Sequence, residues 1–218
     1  MVFFFTSCND DYVYYMGRDK YENEELLKYG FPEDIWFHVD SYSSAHVYLR
    51  HLPDPRGFPV EVELEMIPED VLEECLQLVK ANSIEGCKLA SVSCCYTHFS
   101  NLRKDASMDV GQIGFHNQKR VFHKMVNKDK TISNRVMKRK EEKPINLKEE
   151  REHRDRQIIR RERERKAEAE LAEKERREKL RKEKEAREYK GFLEEEDMTS
   201  NAAMKGKTPQ QFIDDFWG

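Results

Sequence analysis

Between Lys148 and Lys190, 32 of 43 residues are charged, 18 Lys or Arg against 14 Asp or Glu. A segment of that composition has too little apolar surface to bury a core. Whatever folds compactly must come from the part before it, roughly Met1 to Lys140, a normal size for one domain. The charged stretch itself reads as a long helix. Acid-first pairs four residues apart recur along it, among them Glu150/Arg154, Glu162/Lys166, Glu173/Arg177 and Glu178/Lys182. Each stabilises an isolated helix by about 0.2–0.5 kcal/mol. Its larger apolar residues, Leu147, Ile158, Ile159, Leu171, Leu180 and Tyr189, are too sparse to fill the a and d positions of successive heptads. The segment 146–190 therefore reads as a lone charged helix, with self-association through it as the alternative. The acidic segment 191–218 reads as disordered, except for a terminal aromatic motif in which Phe212, Phe216 and Trp217 are candidates for docking a partner.

The first 140 residues alternate strand and helix signals. Val2–Thr6 and Tyr12–Gly17 are aromatic and β-branched around a turn-forming "SCNDD", which predicts a hairpin. Asp19 can cap a helix that carries Leu26 and Leu27, with Gly30 ending it in a left-handed turn before Pro32. Pro68 and the acids Glu69 and Asp70 open the strongest helix, with an apolar stripe of Val71, Leu72, Cys75, Leu76, Leu78 and Val79. Leu89–Thr97 and Arg120–Val126 read as strands, and Asp129–Glu142 as a short basic helix. This predicts an α/β or α+β class: a single compact mixed-sheet domain with packed helices, then the long charged C-terminal helix.

The stretch from Glu33 to Arg50 raises the functional question. Alternation puts Ile35, Phe37, Val39, Ala45, Val47 and Leu49 on one face of two paired strands. Trp36, His38, Asp40, Ser44, His46, Tyr48 and Arg50 fall on the other. Asp40, Ser43, Ser44 and His46 contain the residue types of a hydrolytic triad, but they lie on one hairpin with no nucleophile elbow, whereas triad members converge from separate segments. Two histidines and Asp40 could hold a metal, but no helical pair or cysteine partner completes the set. No catalytic residue, metal or cofactor is assigned. An aromatic and cationic sheet face fits nucleic acid better, because rings stack bases and cations meet phosphates.

Charge is distributed unevenly. Residues 1–80 carry a net −11 and residues 119–140 a net +8, a contrast that the overall −4 conceals. The basic block suits a polyanion. The five cysteines form no C-x-x-C pair, and with no leader-like or membrane-spanning apolar run the expected setting is the reducing cytoplasm.

"GRDKYENEELLKYGFPEDIWFH" resembles the signature of the NFACT-R domain family, with Gly17, Arg18, Asp19, Glu22, Asn23, Glu24, Asp34, Ile35, Trp36, His38 and Asp40 matching in order. "SSAHVYLR", "MDVGQIGFH" and the charged helix are similar to the stand-alone branch of that family, the coiled-coil domain-containing protein 25 family. The resemblance implies a non-enzymatic RNA-binding module over 1–126, followed by a basic bridge over 127–145. It implies tRNA or rRNA as ligand and the ribosome or its quality-control factors as partners; the alternatives are a DNA-binding or DNA-sensing protein and a coiled-coil interaction scaffold. The extra domain and helical arm of the family's nascent-chain elongation factors have no counterpart here, so tail elongation is not carried over. The candidate nucleic-acid contacts are Arg18, Lys20, Trp36, His38, His46, Tyr48, Arg50, Arg103, Lys104, His116, Lys119, Arg120 and Lys124.

Overall fold

In the computed structural model, the backbone is described for residues 1–204 and the side chains for residues 1–189. Residues 1–161 form one compact unit, and the rest of the long helix forms a second. The aromatic residues Phe212, Phe216 and Trp217 lie outside the described residues.

The compact unit is built on a seven-stranded sheet. Its strands are β1 (Val2–Thr6), β2 (Tyr12–Gly17), β3 (Ile35–Val39), β4 (Val47–His51), β5 (Ser91–His98), β8 (Phe122–Asn127) and β9 (Lys140–Lys143). Between β5 and β8, β6 (Leu102–Arg103) and β7 (Gly114–Phe115) pair as a separate ribbon. The sheet order is β8-β5-β3-β4-β2-β1-β9, and every neighbouring pair is antiparallel. With helices α1 (Lys20–Tyr29), α2 (Glu69–Ala81), α3 (Lys130–Lys138) and α4 (Leu147–Met204), the class is α+β, as the sequence predicts.

One face of the sheet is covered by α2, whose Val71, Leu72, Cys75, Leu76, Leu78 and Val79 meet Ile35, Phe37, Val39, Val47 and Leu49 in the main core. These are the two apolar sets that helical and strand periodicity identify. The sequence does not reveal that the opposite face is also covered. Val2, Tyr15, Leu26, Trp36, Tyr48, Cys95 and Val121 form a second buried cluster, packed with Phe99, Leu102, Phe115 and Leu147. Helix α1, the β6–β7 ribbon and the start of α4 supply that cover.

Gly30 is a correction in detail. It does end α1, but at φ −58 and ψ 155 it is not left-handed. A Cβ there would lie 2.4 Å from the Phe99 ring and 2.8 Å from the Leu26 carbonyl oxygen. The position needs glycine for close packing, not for a left-handed turn.

The stretch expected to be a basic bridge belongs to the domain. Asp129 caps α3 by accepting from the backbone N–H groups of Thr131 and Ile132, and Val136 is fully buried. Strand β9 then pairs with β1, matching Phe3 with Glu142 and Phe5 with Lys140. Every residue of β9 is polar and exposed, so no apolar alternation could signal it. The Lys140 ammonium lies 3.3 Å from the Phe3 ring centroid, so its charge rests on an aromatic face rather than in solvent alone. Buried Glu74 on α2 ties these parts together. It accepts from the Tyr14 hydroxyl at 2.9 Å, the Cys8 backbone N–H at 3.0 Å, and the guanidinium groups of Arg135 and Arg139 at 3.1–3.2 Å.

Helix α4 extends through Met204, so the stretch 191–204 is helical where disorder was expected. Its first turns dock on the domain. Arg154 reaches both Glu33 oxygens at 3.0 and 2.6 Å, and Arg151 donates to the Gly30 carbonyl. Further along, Glu173–Arg177 and Glu178–Lys182 close at 2.6 and 2.9 Å, the spacing on which the helix reading rests.

Candidate nucleic-acid interface

The strongest correction to the sequence reading lies in the β3–β4 pair. Trp36 pairs with Tyr48 and Ile35 with Leu49, so the polar set does share one face as alternation predicts. That face is not a stacking platform. Trp36 is 2% exposed and Tyr48 0%. Tyr48 stacks on Tyr15 at 4.9 Å, and Phe115 meets Trp36 edge-on at 5.6 Å. Neither ring can offer its face to a base without opening the second core.

Arg50 is likewise used internally. Its Nε and Nη2 donate to the two Asp34 oxygens at 2.8 Å each, and Asp34 is fully buried. The guanidinium also lies 3.5 Å from the Phe31 ring centroid and 3.6 Å from Glu150 on α4. Despite the desolvation that favours its neutral form, Asp34 and Tyr15 push the Arg50 pKa further up, so it stays charged. Arg50 thus holds together the strand, the β3 entry and the docked helix.

Lys104 is a clamp. Its Nζ donates to Glu24 at 2.9 Å and to the carbonyls of Asp109 and Gln112 at 2.8 and 3.0 Å, while the Gly111 N–H donates to the same Glu24 oxygen at 2.7 Å. This fixes the 109–112 loop beside α1. Lys124 pairs with Glu69, and Arg103 with Asp105 at 3.1 Å.

Of the remaining candidates, Arg18, Lys20, His116, Lys119 and Arg120 are open to solvent, whereas His38 is half-buried and His46 buried. The backbone of 116–120 is pinned from below: Asn101 accepts from Asn117 N–H at 2.9 Å and donates to its carbonyl at 3.0 Å, and the Thr97 hydroxyl donates to the Arg120 carbonyl at 2.8 Å. The pinned turn carries His116, Lys119 and Arg120 exposed. Among the described residues neither Lys119 nor Arg120 makes an ion pair. Arg18 and Lys20 are also exposed, with Arg18 only 3.6 Å from Asp19.

Arg18, Lys20, Trp36, His38 and His46 come together around a cleft of about 610 Å³. It is bounded by the start of α1, the β3–β4 turn and the 110–115 stretch. The Trp36 indole N–H donates to His46 Nδ1 at 2.9 Å, and His38 lies parallel to Trp36 at 5.5 Å. Burial, with help from neighbouring His38, holds the His46 imidazole down to about 3 against the backbone at Gly111. Burial also lowers His38, against the backbone at Val39 and Ser44 and the charge of Asp40. Both rings are therefore neutral at pH 7.

His46 Nδ1 already accepts from Trp36, which removes it as a base or ligand nitrogen on that side. The Ser44 hydroxyl is held between the Val39 N–H and the Ala45 carbonyl. Burial pushes the Cys95 thiol up to about 12, so it is no nucleophile. Asn23, Tyr42, Ile113 and Phe115 also line the cleft and were not singled out as contacts. For Asn23 a signal existed in Glu22-Asn23-Glu24, but a motif match gives no direction to a side chain.

An exposed cationic rim thus surrounds an aromatic cleft, on an antiparallel sheet covered on both faces. Residues 1–117 match the family described as the NFACT protein RNA binding domain, and the chain belongs to that family. It is similar across most of its length to coiled-coil domain-containing protein 25 from Mus musculus, at 50% identity over 92% of this chain and 95% of that one. The Danio rerio protein of that name is 54% identical over 72% of this chain and 74% of its own. The Dictyostelium discoideum homologue is 48% identical over 71% and 72%. A solved structure, the C-terminal part of the fibronectin/fibrinogen-binding protein from Streptococcus suis, is a remote likeness at 15% identity and a TM-score of 0.49, covering 61% of this chain and 48% of that one. Among the described residues, no helix is long and apolar enough to cross a membrane.

Proposed function

We propose that the protein is a non-enzymatic RNA-binding factor that works at the ribosome in the cytoplasm, in translation quality control. The observation that carries the reading is a coincidence of boundaries. The segment matching the RNA-binding family, residues 1–117, contains every residue that lines the cleft. Lys20, His116, Lys119 and Arg120 stand ready for phosphates, since no acidic residue among the described residues pairs with them, and the exposed pairing of Arg18 with Asp19 at 3.6 Å is open to exchange for a phosphate. Contacts of this kind release counterions and weaken steeply with salt. The non-enzymatic reading is supported by the engaged state of Ser44, His46 and Cys95.

The test is binding of the full chain to tRNA, rRNA fragments and DNA of matched length across a salt series, with sedimentation of the protein through ribosome gradients from cell extract. RNA preference with a steep salt slope, and co-migration with ribosomal particles, are expected. Equal or tighter binding to DNA would move the reading to a DNA-binding role. RNA binding without co-migration would remove the ribosome from it.

A further inference from the structure

Asn23 is 6% exposed, sits in the first turns of α1 and lines the cleft. The Tyr48 hydroxyl donates to its Oδ1 at 2.8 Å. The amide nitrogen Nδ2 of this cleft-lining residue is buried and has no acceptor among the described residues. Buried donors without partners are rare because they give up hydration for nothing, so one beside an open cleft calls for an acceptor brought by a ligand.

The surroundings narrow the kind of ligand. His38 is parallel to Trp36 at 5.5 Å and edge-on to His46 at 4.9 Å, which fixes the plane of its ring. Tyr42, Ile113 and Phe115 add flat or apolar wall. Flat walls and an unpartnered, buried amide donor suit a planar heterocycle bearing a carbonyl or ring-nitrogen acceptor. At the rim, the end of β2 lies tight against α1: a Cβ on Gly17 would come within 2.9 Å of the Asn23 backbone nitrogen. That close approach sets Arg18 and Lys20 at the same end of the cleft as the Asn23 amide. Asp19 and Asp40 also line the cleft and oppose a densely anionic ligand such as a polyphosphate. One phosphate attached to one ring satisfies all of these demands.

Building on the RNA-binding reading, we propose that the cleft seats a single unstacked nucleobase of bound RNA, its acceptor edge toward Asn23 and its backbone phosphate at Arg18 and Lys20. The consequence is a preference for RNA with an unpaired nucleotide over a continuous duplex, since a base within a duplex cannot enter. The Lys104–Glu24 clamp on the 109–112 loop keeps the cleft open for the base.

The test compares the full chain with two variants, using a short single-stranded oligoribonucleotide and a blunt fully paired RNA duplex as probes. Asn23→Leu removes the donor, and with it the acceptor of the Tyr48 hydroxyl, while keeping the branched outline of the side chain. Val110→Trp fills the cleft from an exposed loop position (49% exposed), keeping the test alive should the first variant fail to fold. Each folded variant should lose about tenfold in single-strand affinity, the scale of one base's stacking, with duplex affinity unchanged. Single-strand affinity equal to the parent's, or equal losses on both probes, would overturn the base site while leaving RNA binding intact. A parent chain that binds neither probe would overturn both readings.

Discussion

Arg50→Met should destabilise the domain more than any substitution at an exposed cation. Asp34 is fully buried and accepts four hydrogen bonds: two from Arg50 at 2.8 Å, one from the Tyr15 hydroxyl at 2.5 Å and one from the Phe31 N–H at 3.0 Å. Removing Arg50 deletes the two charge-assisted bonds and leaves a carboxylate in the interior without its counter-ion. Breaking a buried pair in this way costs about 3–5 kcal/mol, against a total of roughly 5–15 kcal/mol for an ordinary domain. The assay is equilibrium urea unfolding of the full chain, followed by tryptophan fluorescence and circular dichroism. Adding Asp34→Asn should recover part of the loss, because a neutral amide can still accept from Tyr15 and needs no cation. Where the Arg50→Met protein remains folded, RNA affinity should match the parent's. A loss below about 1 kcal/mol, or no recovery in the double variant, would refute the assignment of Arg50 as a structural anchor.

Gly30→Ala should cost about 1–3 kcal/mol by overpacking against Phe99 and the Leu26 carbonyl, read as a lowered melting temperature. Glu74 is raised by burial but lowered on balance by the Tyr14 hydroxyl, Arg139 and the Cys8 N–H, below its ordinary 4.5. Its contribution to stability is therefore complete above about pH 4.5 and is lost as pH falls through the lower folded-state value. Urea midpoints measured from pH 6 to 3 should decline less steeply for Glu74→Gln than for the parent. The isolated peptide 146–190 should sediment as a helical monomer at micromolar concentration, and a stable dimer would show that a coiled coil forms instead.

Alternation in Ile35–Val39 and Val47–His51 sorted the side chains between the two faces correctly, because the strand period is a local property. Which face meets solvent is not local. Helix α1, the Phe115 ribbon and Leu147 come from distant parts of the chain, and together they turn an apparent ligand surface into a second core. Trp36 and Tyr48 look alike in a base-stacking platform and in a core, so composition could not separate the two. The same holds for cations. Arg50 and Lys104 were legible as charges, but their carboxylate partners, Asp34 and Glu24, are identified only by the fold. Strand β9 was hidden for the opposite reason, since an edge strand of four charged residues has no apolar pattern. The exposed set, Arg18, Lys20, His116, Lys119 and Arg120, stays accessible because nothing in the domain folds over it.

The most direct measurement of the central claim is ultraviolet crosslinking of the full chain to bound RNA, with the crosslinked peptides mapped by mass spectrometry. The account places RNA at the cleft and its rim. Crosslinks should fall in the peptides carrying Arg18 and Lys20, His38 and Tyr42, and His116 to Arg120, with none at buried Tyr48. Crosslinks confined to the charged helix beyond Arg161, with the cleft peptides unmodified, would contradict it.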